Sequence, residues 1–122
     1  MEVQNKNILI IDDDLPIAEA VKVALEADGL NIEIVSSASE IDSKINNLTP
    51  DLILLDIWLD GVSGQDVAAK LRKEEKTKNI PIIIMSANTD TEKIQKEMKA
   101  QDFLNKPFDI EELIKKVQKH LK

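Results

Sequence analysis

Cysteine is missing from all 122 residues, which excludes disulfides and thiol catalysis and suits a reducing cytoplasm, the expected compartment. Glycine and proline are scarce, at three and four residues, while hydrophobic residues make up 43%. Neither disorder nor a fibrous repeat fits that balance, and no internal repeat is visible. Long apolar runs are also absent. Near the start the longest is Ile8 to Ile11, far short of the roughly 20 residues that span a membrane, and the N-terminus with Glu2 and Asn7 carries no secretory leader pattern. No membrane contact is expected. Basic charge is in deficit, with 16 Lys and Arg against 23 Asp and Glu and a net charge of -7, so direct nucleic-acid binding is not expected either. Lys115, Lys116, Lys119 and Lys122 read as the solvated face of a terminal helix. The single histidine, His120, reads as a surface or boundary residue near the chain end.

What remains is the length and pattern of one domain, residues 1–122. Ile8-Leu9-Ile10-Ile11 is a strand buried on both faces, and a helix with Pro16 in its first turn carries Ile17, Val21, Ala24 and Leu25 inward until Gly29 stops it. Ile32, Ile34 and Val35 form a second strand. Ser37 and Glu40 make a capping box before Ile41, Ile45 and Leu48. Leu52-Ile53-Leu54-Leu55 repeats the buried strand and ends on Asp56. Gly61 and Gly64 bracket a turn before a helix facing inward with Val67, Ala68 and Leu71. After Pro81, Ile82-Ile83-Ile84-Met85 ends on Ser86, and a helix starting at Asp90 or Thr91 carries Ile94 and Met98. A weak fifth strand, an edge strand by its composition, holds Phe103 and Leu104. Lys106-Pro107 and a helix from Asp109 follow, with Ile110, Leu113, Ile114, Val117 and Leu121 on the core side and Asp109 and Glu112 in a capping arrangement.

Strand followed by helix, five times over, predicts an α/β fold with a parallel sheet and helices on both faces. Right-handed crossovers place all strand carboxyl ends on one rim, where ligands of open parallel sheets bind. Asp12, Asp13, Asp56, Ser86 and Lys106 fall there. A single acid after a strand serves equally as a helix cap, but several converging carboxylates repel one another unless a cation or proton is shared. Their oxygens suit magnesium, whereas zinc lacks its usual ligands here. A carboxylate is a competent nucleophile toward phosphorus and needs no general base, since the reference aspartate pKa of about 3.9 leaves it ionised near neutrality. A metal, Lys106 and the Ser86 hydroxyl would then neutralise the phosphoryl oxygens.

At these residues the chain resembles the receiver domain of two-component response regulators. The fragments are Ile8 to Asp14, Leu54-Leu55-Asp56, Ser86-Ala87 and Lys106-Pro107-Phe108, spread over nearly the whole sequence. The resemblance implies a five-stranded (βα)5 flavodoxin-like fold with strand order 2-1-3-4-5. It implies Asp56 as phosphoacceptor and Asp13 as principal side-chain ligand of Mg2+, with Mn2+ as a substitute. Asp12 assists through water, and the backbone carbonyl of Trp58 is the third protein ligand. Lys106 pairs with the phosphoryl group, Ser86 moves toward it, and Phe103 is the switch aromatic that follows. Asp14 is given no ligand role. The implied donor is a sensor histidine kinase or a histidine phosphotransfer protein, and the output is an unidentified protein or an output domain outside this chain. The resemblance does not give the oligomeric state.

Phe103 also reads as a core residue, and without a phenolic hydroxyl any signal it carries is one of packing and exposure. Trp58 reads equally as a core side chain or as a shield over the phosphoryl group, with Asn88 near the same rim. Asp60-Gly61 stands where the family often has Pro-Gly, and Met98-Lys99-Ala100 lacks the frequent Gly-Ala, which alters loop stiffness or a helix end rather than a reacting group. The alternative is a magnesium-dependent small-molecule phosphatase with an aspartyl-phosphate intermediate. That enzyme needs an acid two residues after its nucleophile, and here the position is Trp58. A phosphoacceptor without a turnover substrate is therefore the expectation.

Overall fold

A computed structural model describes the backbone of residues 5–59, 62–87 and 90–121, and the side chains there except those of Ala38, Trp58, Leu59, Val62 and Thr91. Asp60, Gly61 and Asn88 thus lie outside the described residues.

The main sheet has five strands: β1 (Asn7–Ile11), β2 (Asn31–Val35), β3 (Leu52–Asp56), β4 (Ile82–Ser86) and β5 (Asp102–Asn105). All neighbours pair in parallel, in the order β2-β1-β3-β4-β5, which is the (βα)5 flavodoxin-like arrangement expected from the sequence. The helices are α1 (Leu15–Glu26), α2 (Ile41–Leu48), α3 (Gly64–Lys73), α4 (Thr91–Glu97) and α5 (Ile110–Leu121). Between β3 and α3, Trp58–Leu59 and Val62–Ser63 pair as a short antiparallel ribbon.

Alternation along the strands divides the core into two layers, because successive side chains of a strand point to opposite faces. Leu9, Ile11, Ile53, Leu55, Ile82 and Ile84 pack with Ile41 and Ile45 of α2, Val67, Ala68 and Leu71 of α3, and Met98. On the other face, Ile8, Ile10, Leu52, Leu54, Ile83 and Met85 pack with Ala18, Val21 and Leu25 of α1 and Leu113 and Val117 of α5. Every residue of β3 and β4 is buried, and full burial of one such side chain contributes about 1.5–3 kcal/mol. Among the described residues no helix is long and apolar enough to cross a membrane.

Several local expectations shift. Helix α1 is capped by Asp14, whose Oδ1 accepts from the Ile17 N–H at 3.4 Å. It ends at Glu26, before Gly29, which takes φ 86°. Ser37 and Glu40 do not form a capping box: their side chains meet each other at 3.3 Å, and Glu40 closes a 3-10 turn, Ala38–Glu40, directly before α2 without a side-chain capping bond. Ile110, the first residue of α5, is 37% exposed rather than core, as suits a first turn where fewer helix neighbours flank the side chain.

Candidate functional site

The strand ends deliver the predicted residues to one rim. Asp12 follows β1, its N–H donating to Val35 O at 3.0 Å, and its side chain is 1% exposed. One oxygen, Oδ1, accepts from the Asp14 N–H at 2.9 Å, which turns the chain into α1. Asp13 between them is exposed. Asp56 ends β3, 7% exposed, paired in register with Met85.

The route out of Asp56 depends on one glycine. Gly64 N–H donates to Ile57 O at 2.6 Å, and a Cβ at Gly64 would sit 2.6 Å from Asp56 O and from Ile57 Cα. Only a residue without a side chain lets α3 begin this close to the backbone of Asp56. Ser63 caps that helix, accepting from Gln65 N–H at 3.1 Å. Trp58, two residues after Asp56, begins the ribbon opposite Ser63.

From the other side β4 and β5 bring Ser86 and Lys106. Ser86 is fully buried, and its carbonyl accepts from the Lys106 N–H at 2.8 Å, which extends the β4–β5 ladder by one rung; the Lys106-Pro107 peptide is cis. The Lys106 ammonium then lies 3.0 Å from Asp12 Oδ2 and 3.7 Å from Asp56 Oδ2. It therefore bridges the ends of two strands.

Asp12, Asp13 and Asp56 each present a carboxylate oxygen, and these lie within 4.8 Å of one another. At roughly 4 Å two like charges repel by about 4 kcal/mol at an effective dielectric of 20. Three carboxylates against one ammonium leave an excess of negative charge, so the group is able to hold a divalent cation. The donor set is all oxygen and fits a hard ion such as Mg2+ or Mn2+ rather than zinc.

Phe103 lies in β5, partly buried against the layer that holds Ile84, Met98 and Ala100. Around it the sequence reading missed a cluster. Lys116 Nζ bonds Phe103 O at 2.6 Å and Asp102 Oδ1 at 3.1 Å and stands 4.9 Å from the centroid of the Phe103 ring. His120 Nε2 meets Asp102 Oδ2 at 3.0 Å. Burial opposes ionisation of Asp102, but hydrogen bonds from His120, the Phe103 N–H and Lys116, with the Lys116 charge, outweigh it and hold the carboxyl below its ordinary value. Lys116 is thus not part of a solvated face with Lys115 and Lys119, and His120 is not a bystander. The available signal was their i,i+4 spacing, which puts both on one side of α5.

The sequence model of the response regulator receiver domain matches residues 8–118. The chain is 40% identical over 115 residues to the phosphate regulon transcriptional regulatory protein PhoB of Pseudomonas aeruginosa, covering 93% of this chain and 50% of that protein. It is 33% identical over 124 residues to the DNA-binding response regulator MtrA of Mycolicibacterium smegmatis, covering 100% of this chain and 53% of that one. The chain thus spans about half the length of these curated relatives. Among solved structures, a response regulator from Chloroflexus aurantiacus superposes with a TM-score of 0.90 at 28% identity, over 97% of this chain and 98% of the other. With the sheet order, the acidic rim and the matched span in agreement, the chain belongs to the response regulator receiver domain family.

Proposed function

We propose that Asp56 is the residue through which this receiver domain takes part in phosphoaspartate signalling, and that the domain is a phosphoacceptor switch acting with a sensor histidine kinase or a histidine phosphotransfer protein. The observation that carries this reading is the Lys106 ammonium held between the carboxylates of Asp12 and Asp56. It supplies positive charge beside the candidate nucleophile.

An Asp56 carboxylate oxygen attacks phosphorus, the new O–P bond forms as the donor's P–N bond breaks, and the electron pair of that bond stays on the departing imidazole nitrogen. Asp13 and Asp12, with the backbone carbonyl of Trp58, would hold Mg2+; when bound, that ion neutralises charge on the phosphoryl oxygens. Lys106 meets a further phosphoryl oxygen with a charge-assisted hydrogen bond. The Ser86 hydroxyl, at the end of β4 beside the Lys106 backbone, donates to another. Phe103, two residues before the Ser86 partner Asn105 in β5, repacks in response. Residues 1–122 act as one such domain, and the output protein or output domain is reached through the altered surface. The reading is tested by intact-mass measurement after incubation with MgCl2 and acetyl phosphate. One phosphoryl group is expected in the wild type, none with chelator and none in Asp56→Asn. Full modification of Asp56→Asn at another residue sinks the assignment.

A further inference from the structure

Of the side chains around Phe103, Lys116 is the only one on α5 that the described contacts tie to both the ring and the backbone of that residue. Its ammonium stands 4.9 Å from the ring centroid, a distance at which the ring quadrupole attracts a cation. The same nitrogen donates to Phe103 O at 2.6 Å and to Asp102 Oδ1 at 3.1 Å. Nor is the ammonium free to wander. Asp102 Oδ1 also accepts from the Phe103 N–H at 2.8 Å, and Asp102 Oδ2 is engaged by His120 at 3.0 Å, so the carboxylate that anchors Lys116 is fixed at both oxygens. The Lys116 and Asp102 side chains are only 24% and 15% exposed, which shields the arrangement from the screening that weakens ordinary surface pairs.

We infer that Lys116 is a positioning residue for the response, a latch from α5 that holds Phe103 in its partly buried place on β5 and so sets how strongly modification at Asp56 must act to move it. This rests on the reading of Asp56 as phosphoacceptor and of Phe103 as the residue that repacks. A ring leaving its place must give up the ammonium, because the three bonds of Lys116 and Asp102 hold that charge to the β5 backbone rather than to the ring. A phosphoryl group at Asp56 therefore works against the latch, and weakening the latch lowers the threshold.

The test uses Lys116→Met, which keeps an unbranched apolar stem without the charge, and Lys116→Arg, which keeps the cation. The Phe103 side-chain conformer is read by NMR couplings and ring shifts in the unmodified full chain, and then during titration with beryllium fluoride in the presence of Mg2+. One dominant conformer is expected for wild type and Lys116→Arg. In Lys116→Met, averaging toward the beryllium fluoride position is expected before any addition, together with a titration midpoint about two- to fivefold lower, the factor a single cation–ring contact supplies. A single unchanged Phe103 conformer in Lys116→Met, or the same midpoint as wild type, overturns the latch. If the Asp56 amide of the wild type does not respond to beryllium fluoride at all, it is the phosphoacceptor reading that fails. The conformer measurement on unmodified protein then still decides whether Lys116 holds the ring.

Discussion

Asp12 and Asp13 are neighbours in sequence but opposite in burial, and that contrast separates their work. Asp12 is fixed by the Asp14 N–H and the Lys106 ammonium, while the exposed Asp13 is the carboxylate that, under the proposed function, would meet an ion from solvent. Asp14, which has no ligand role in the family resemblance, caps α1. Gly64 is equally decisive although it carries no chemistry. A methyl group there would press on Asp56 O and Ile57 Cα at 2.6 Å, and both contacts are backbone that cannot rotate away. Gly64→Ala should therefore displace the end of β3 or the start of α3, destabilise the fold by about 1–3 kcal/mol as overpacking does, and reduce phosphoryl uptake at Asp56 by more than the lost stability explains. Urea unfolding and intact-mass kinetics on the same sample check this. Uptake that stays at the wild-type rate would show that the close approach does not position Asp56.

At the scale of elements, the end of α4 carries a left-handed residue that is not glycine. Lys99 has φ 57°; its N–H donates to Lys96 O at 3.2 Å, and the next N–H, of Ala100, to Gln95 O at 3.0 Å. These are the two bonds of a Schellman helix end, whose left-handed position is usually glycine. Arg72 of α3 compensates, donating to Lys99 O from Nε at 3.3 Å and Nη2 at 3.1 Å while Nη1 reaches Ile80 O at 2.8 Å. A side chain in this conformation costs about 1–2 kcal/mol, and glycine returns about 0.5–1 kcal/mol of that as extra unfolded-state entropy. Lys99→Gly should thus stabilise the domain by roughly 0.5–1 kcal/mol, seen as a higher urea midpoint with an unchanged slope. No rise would mean that the left-handed conformation costs Lys99 no more than the entropy glycine loses on folding. The missing glycine was legible in the sequence as an altered helix end, but Arg72 was not, because its partners are mostly backbone carbonyls, which carry no residue-type signal. The five strands of the main sheet were legible, since unbroken runs such as Ile82 to Met85 suit a strand buried on both faces, but the short ribbon of Trp58–Leu59 and Val62–Ser63 was not. Helix ends were less so: Ser37 and Glu40 have the spacing of a capping box, yet pair with each other outside α2, a choice that spacing alone does not decide.

For the whole molecule, the topology turns residues 12, 56, 86 and 106 into neighbours, and no local signal does that. Their types and their common place after strands nevertheless sufficed to put them on one rim, because right-handed crossovers leave one rim for all of them. The Lys116 cluster escaped notice for the complementary reason: it forms at the sheet edge rather than at that rim, between a lysine and a histidine that composition alone makes ordinary. The rim also concentrates charge in a chain that is already at -7, with three carboxylate oxygens within 4.8 Å, so stability and function should oppose each other there. In chelator, Asp13→Asn removes one like charge and should melt higher than wild type. Because Asp13 is exposed, the gain should stay at or below about 1 kcal/mol. With MgCl2 the order should reverse. An ion bound only by the folded state adds RT ln(1 + [L]/Kd), about 2.7 kcal/mol at a hundredfold excess over Kd, and the wild type should take most of this while the variant, lacking a proposed ligand, takes little. Thermal melts of both proteins in EDTA and in MgCl2, with NaCl matched for ionic strength, separate ion binding from general screening. If Mg2+ raises both melting temperatures equally, Asp13 is not a ligand; if NaCl at matched ionic strength reproduces the rise, the rim is relieving repulsion without holding an ion.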